Sequence, residues 1–285
     1  MYEIVIIIGA PRSGTNMLRD MLIQIPGVGT WPCDEINYIW RHGNLRYPSD
    51  EFNPQMATPN VKRYIQKQFG KFAKGRNLCT VVEKTCANSL RVGFVDKIFP
   101  DAKYVFIVRD GVDVVGSALK RWKASLDIPY ILKKARYVPP TDLPYYASRY
   151  LINHLYRLVS RENRLSLWGP AIDNIDKLLE RYSLSEVCSI QWKACVDNSE
   201  RDFSSIPSEN ILRIKYEEFV KEPVAEFSRL ANFLNKQVSD SVNDYLRKNV
   251  RPNSVGKGRK ALGEVEVENL MPLIANTLQR YGYDE

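Results

Sequence analysis

Histidine is nearly missing from this chain: His42 and His154 are the only two in 285 residues. Cysteine is sparse as well. Cys33, Cys79, Cys86, Cys188 and Cys195 are odd in number and contain no C-x-x-C pair. These shortages leave no ligand set for the usual zinc sites and no framework of disulfides. Reduced, mostly buried thiols are the expectation. Long apolar runs are missing too. The longest, Ile4–Ile8, is strand-sized, whereas a membrane span needs about 20 residues. No signal peptide precedes that run, so a cytoplasmic location is expected. There is no internal repeat, low-complexity linker, arginine-rich run or nucleic-acid module. The net charge of +8 (41 basic, 33 acidic residues) is therefore assigned to an anionic ligand and to solvated surface, not to nucleic acid. One further absence is local. Gly9-Ala10-Pro11-Arg12-Ser13-Gly14-Thr15 is followed by Asn16, so the Lys-Ser/Thr pair that closes an ATP- or GTP-binding loop is not there. That argues against ordinary nucleoside-triphosphate hydrolysis.

What the loop does have is a phosphate cradle. It follows the apolar run Ile4–Ile8 and precedes the helix-like stretch Asn16–Ile25. Gly9 and Gly14 remove side chains where backbone N–H groups must approach an anion. The helix N-terminus behind them adds partial positive charge. The cation sits inside the loop, at Arg12.

Strand-like runs recur at Thr80–Glu83, Tyr104–Val108 and Ile211–Ile214. Helix-like segments follow at Asn88–Phe99, Val112–Trp122 and Pro223–Leu234. Strands alternating with helices predict an α/β fold: a central parallel sheet flanked by helices, with ligands at the carboxyl ends of the strands. The whole of 1–285 reads as one domain. Residues 122–181, rich in Trp, Tyr and Pro, break the rhythm and read as a helical and loop insertion that could cover an acceptor.

A second constellation starts at the end of Tyr104–Val108. Arg109 follows the strand, and Ser117 lies early in the next helix. The guanidinium offers a bidentate contact to phosphate and the serine a hydroxyl. Alone, this block reads equally well as an Arg109–Asp110 surface pair with a helix-facing serine.

Four motifs in order resolve the ambiguity. Gly9–Thr15, Arg109…Ser117, Ile214-Lys215-Tyr216-Glu217-Glu218-Phe219 and Gly256-Lys257-Gly258-Arg259 resemble those of sulfotransferases that use 3′-phosphoadenosine 5′-phosphosulfate (PAPS). The likeness spans almost the whole chain and implies a P-loop NTPase-like fold. Its motif style is closest to the glycan, tyrosyl-protein and bacterial branches. The resemblance implies a 5′-phosphosulfate loop at Pro11, Arg12, Ser13, Gly14, Thr15 and Asn16. It implies a 3′-phosphate pair at Arg109 and Ser117, with Tyr216 and the Gly256, Lys257, Gly258, Arg259 loop closing on the nucleotide. The chain departs from the common pattern at Arg12, where many members carry Lys. It departs again at Gly111, where Pro is common, and at Gly258, where Trp is common.

Neither histidine matches the family's His-base motif, which leaves a carboxylate. Thr30–Glu35 resembles the segment that supplies a Glu base in glycan and tyrosyl-protein sulfotransferases. Glu35 is the expected base, ahead of Asp34 and His42. Glu83-Lys84-Thr85 resembles a Glu-Lys-Ser/Thr block of the glycan enzymes and places Lys84 on the transferring group. The expected reaction moves a sulfuryl group from PAPS to a hydroxyl or amine of a small-molecule or carbohydrate acceptor, releasing 3′-phosphoadenosine 5′-phosphate (PAP). Fixed cations neutralise charge, so no metal is expected to take part. Two other readings stay open: a kinase-like phosphotransferase with this loop, and a non-catalytic bisphosphonucleotide-binding protein.

Overall fold

A computed structural model of the chain describes residues 2–122, 137–148, 151–152 and 167–283. Five parallel strands make one sheet. They are β1 (Glu3–Ile8), β2 (Val28–Gly29), β3 (Thr80–Lys84), β4 (Lys103–Val108) and β5 (Ile211–Lys215), in the order β2-β3-β1-β4-β5. β1 sits between β3 and β4, with Ile7 beside Lys84 and Ile8 beside Phe106. The chain leaves β1 towards one half of the sheet and β4 towards the other. The crevice where connections diverge therefore lies at the carboxyl ends of β1 and β4. Gly9 and Arg109 are the first residues past those ends.

The apolar runs are continuous because helices cover both faces. With a side-chain period of two, Ile6 and Ile8 enter a core layer with Trp40, Phe69, Phe106, Trp122 and Trp192. Val5 and Ile7 enter the opposite layer with Leu18, Leu22, Phe219, Phe227 and Leu246.

The flanking helices begin where local chemistry starts them. α1 (Thr15–Leu22) opens on the loop, and a four-residue turn α2 (Asn37–Trp40) follows. α3 (Pro59–Gly75) is capped by the Thr58 hydroxyl, with Pro59 in its first turn. α4 (Val92–Ile98) and α5 (Gly111–Trp122) flank β4 in sequence. After α6 (Ile175–Arg181), α7 (Leu184–Phe203) carries a reciprocal capping box between Ser183 and Glu186. α8 (Tyr216–Lys221), α9 (Pro223–Phe233), α10 (Asp240–Asn249), α11 (Lys257–Leu262) and α12 (Glu264–Arg280) complete the order.

The segment 88–99 differs from its expected single helix. A 3-10 turn, Cys86–Leu90, precedes α4, and Arg91 breaks the two apart. The reason is its side chain, which is fully buried and bonded to Asn88, Asn37 and Asp50. Cys33, Cys86, Cys188 and Cys195 are buried, whereas Cys79 is exposed. Of the segment 122–181, residues 123–136, 149–150 and 153–166 lie outside the described residues, together with Lys133, Lys134, Arg136 and His154.

Candidate active site

The loop after β1 is shaped by steric necessity. A Cβ on Gly14 would lie 2.5 Å from the Tyr216 ring, and one on Gly9 would lie 2.6 Å from the Ile107 carbonyl oxygen. Gly14 and Arg12 both adopt positive φ, 94° and 73°. Arg12 is thus held in a conformation that L-residues adopt at a cost. Its side chain crosses to α5, where Nε donates to Ser117 Oγ at 2.9 Å. Loop and second station are already in contact.

Arg109 ties three pieces together. Nη1 donates to the Arg12 carbonyl (3.1 Å), and Nη2 to the Ser254 carbonyl (2.6 Å) and to Asp113 Oδ2 (3.3 Å). Its guanidinium lies 4.4 Å from the Tyr216 ring centroid. Nε is buried without a hydrogen-bond partner among the described residues, a donor left over for a ligand. Asp113 is the fastener of the late loop. Its carboxylate accepts from the backbone N–H groups of Gly256 (2.6 Å), Gly258 (2.7 Å) and Arg259 (3.1 Å).

Opposite lies a carboxylate–ammonium pair. Lys84, at the end of β3, donates to Glu35 Oε1 at 3.0 Å and meets Asp34 Oδ1 at 3.1 Å. Glu35 also accepts from the Cys86 backbone N–H at 3.3 Å. Burial by itself would lower the Lys84 pKa, but Glu35 and Asp34 outweigh it, and the ammonium is held firmly charged. Asp34 is additionally bound by Arg19 at 2.6 Å. Burial raises its pKa, yet Lys84 and Arg19 prevail and hold it below the ordinary value.

One cavity of about 900 Å³ collects these groups. Its wall includes Pro11, Arg12, Gly14, Thr15, Asn16, Glu35, Lys84, Arg109, Ser117, Tyr216, Lys257 and Gly258, all anticipated from sequence, and Asp34. Ser13 is buried behind the loop and is not part of the wall. Gly256 lies outside the wall, and the Arg259 side chain reaches Asp110 at 3.4 Å instead. His42 is elsewhere: its Nδ1 pairs with Asp142 at 2.8 Å, and its ring packs on Tyr64. Lys120, Arg121 and Asn37, which the sequence did not single out, also line the cavity, as does Leu167–Pro170 from within the segment 122–181 expected to cover an acceptor. Lys120 and Arg121 fall at i+3 and i+4 from Ser117, so helical spacing alone places them on that face.

The geometry defines a class. It is a parallel α/β protein with a glycine-framed loop carrying Arg12 and a second cationic station, Arg109, at the switch point, with a Lys–Glu pair in the same cavity. The chain belongs to the sulfotransferase family, whose model matches residues 5–158. A curated relative, protein-tyrosine sulfotransferase A of Caenorhabditis elegans, is 21% identical over 247 residues, covering 82% of this chain and 50% of that protein. This chain thus spans about half the length of that relative. Among solved structures, the sulfotransferase domain of the curacin biosynthetic pathway aligns with a TM-score of 0.55 at 14% identity, over 96% of this chain and 98% of that one. Sulfotransferase STF9 of Mycobacterium avium aligns with a TM-score of 0.53 at 14% identity, over 98% of this chain and 76% of the other. At these identities the two structures speak to the fold.

Proposed function

We propose that this protein transfers a sulfuryl group from PAPS to a hydroxyl or amine of a small-molecule or carbohydrate acceptor. The observation that carries this reading is the presence of two cationic stations, the Arg12 loop and the Arg109–Ser117 pair, in the cavity that holds Lys84 and Glu35. A nucleotide with phosphate at one end only would need one station. The residues fit the bisphosphate: the loop is side-chain-free at Gly14, Arg109 has an unused buried donor, and Ser117 offers its hydroxyl.

When bound, PAPS supplies a sulfur whose bond to the 5′-phosphate oxygen breaks as the acceptor oxygen or nitrogen bonds to it. Glu35 takes the proton that the acceptor releases. Lys84 turns its ammonium to the negative charge growing on the departing phosphate oxygen, and Arg12 shares that load. Thr15 and the loop N–H groups hold the 5′-phosphate. Arg109, Ser117 and Lys257 hold the 3′-phosphate and fix the distance between donor and base.

Calorimetry with PAP and AMP tests the nucleotide reading. PAP should bind far more tightly than AMP, and Arg109→Ala should remove about 2–4 kcal/mol from PAP alone. Equal affinity for both nucleotides would overturn it. Labelled PAPS offered with sugars, phenols, alcohols and amines then identifies the acceptor.

A further inference from the structure

Among the described residues six cations line the cavity: Arg12, Lys84, Arg109, Lys120, Arg121 and Lys257. The three carboxylates that face them among the described residues are all engaged. Asp113 holds the late loop and Arg109, Asp34 holds Arg19 and Lys84, and Glu35 holds Lys84 and the Cys86 N–H. The nucleotide of the proposed reaction has two anionic ends. Arg109 and Lys257 meet one, Arg12 and Lys84 the other. Lys120 and Arg121 are left over. Both are exposed at the last turn of α5, and neither has a hydrogen-bond or ion-pair partner among the described residues.

We propose that Lys120 and Arg121 form an anion subsite for the acceptor, so that the molecule receiving the sulfuryl group carries a carboxylate, sulfate or phosphate of its own. This rests on the sulfuryl-transfer reading and narrows its acceptor. Three features support it. The pair stands one turn beyond Ser117 on the same helix face, so it flanks the nucleotide instead of repeating its contacts. Arg12 reaches Ser117, four residues before Arg121 on the same helix, and both arginines line the same cavity; consistent with this, burial, and then the charges of Arg121 and Arg109, lower the Arg12 pKa. The subsite is therefore beside the loop assigned to the reacting end. Finally, uncompensated like charges in a cleft repel one another and focus a field that an incoming anion relieves. A guanidinium fork next to a compact ammonium matches an oxyanion better than a neutral hydroxyl.

The test uses the full chain saturated with PAP and two probes that differ by one carboxylate, a nitrophenyl glucuronide and the matching nitrophenyl glucoside. The glucuronide should bind at least about tenfold more tightly than the glucoside. The double variant Lys120→Ala/Arg121→Ala should abolish that preference while PAP affinity stays as in the wild type. Both positions are exposed, so folding is not at stake. The reversal Arg121→Glu should turn the preference against the glucuronide. Indistinguishable binding of the two probes, whether both bind or neither does, overturns the subsite. A fall in PAP affinity in the double variant also overturns it, because the pair then serves the nucleotide. Failure of the wild type to bind PAP at all is a separate result and removes the function reading itself.

Discussion

Glu35 is placed by a strand and a turn that are remote from it in sequence. Lys84 at the end of β3 and the Cys86 N–H both donate to its Oε1, at 3.0 and 3.3 Å. In the proposed reaction a base fixed this way would present its carboxylate in one orientation, with the Lys84 ammonium beside it for the leaving group. Lys84 and Arg19 hold the proton affinity of Asp34 below its ordinary value against the effect of burial, which disfavours it as the base of the proposed reaction. His42 is engaged with Asp142 and lies outside the cavity wall. Glu35→Gln preserves size while removing the proton acceptor. PAP binding, read by calorimetry, should therefore persist, and sulfuryl transfer should fall by roughly 10²–10⁴. Near-normal turnover in this variant would shift the role to Asp34 and detach the acceptor face from the Glu35 side of the cavity.

At the level of elements, α5 and α11 meet backbone to backbone. A Cβ on Gly116 would lie 2.5 Å from the Gly258 carbonyl oxygen and 2.6 Å from its Cα, and one on Gly258 would lie 2.3 Å from the Asp113 carbonyl oxygen. Backbone cannot step aside, so Gly116→Ala must separate the helices. A destabilisation of about 1–3 kcal/mol is expected, seen as a lower Tm, with PAP affinity reduced more than in a surface control because the Gly256–Arg259 loop moves with α11. An unchanged Tm and unchanged PAP binding would mean that this packing is looser than the geometry says. The same contact shows where sequence reading stops. β1, β3 and β4 were legible as apolar runs because both faces of each are covered, and the loops after them were legible because each follows a strand end, whereas the Gly256–Arg259 loop follows α10 and was found only through the family resemblance. Gly258, by contrast, stands where Trp is common, and nothing in its neighbours reveals that it abuts Asp113. Gly111 is similar, since a Cβ there would meet the Trp192 ring at 2.8 Å. The break at Arg91 was also hidden. Its partners Asn37 and Asp50 are 54 and 41 residues away, so no local pattern encodes them. Asp113 is a further case, since the three backbone N–H groups it binds come from residues 143 to 146 positions away.

On the scale of the whole molecule, stability hinges on polar groups sealed beside the sheet. Glu83, fully buried on β3, accepts from Thr85 Oγ1 at 2.5 Å and from Asn88 Nδ2 at 2.9 Å. Thr85 Oγ1 in turn accepts the Ile36 N–H, so this cluster reaches the segment that carries Glu35. Asn88 continues it to Arg91, Asp50 and Arg41. Burial lowers the Arg91 pKa, to about 10, so the guanidinium stays charged at neutral pH. Burial is also the main influence on Glu83 and, against the hydrogen bond from Thr85, raises its pKa from 4.5 to about 7. In the unfolded chain Glu83 loses its proton near the ordinary value, whereas the folded protein keeps it until about pH 7. Between those limits the folded state binds more protons than the unfolded one, so stability is greatest below the window and falls as pH rises through it. A shift of that size corresponds to at most about 3 kcal/mol. Glu83→Gln removes the titration and keeps one acceptor for the two donors. It should cost roughly 1 kcal/mol at low pH and flatten the decline. Denaturant unfolding at pH 5 and pH 8 reads both effects: the wild type should lose stability between them, and the variant should lose distinctly less. Parallel losses in the two proteins would show that Glu83 is already ionised in the folded state across this range, and that the slope belongs to other groups.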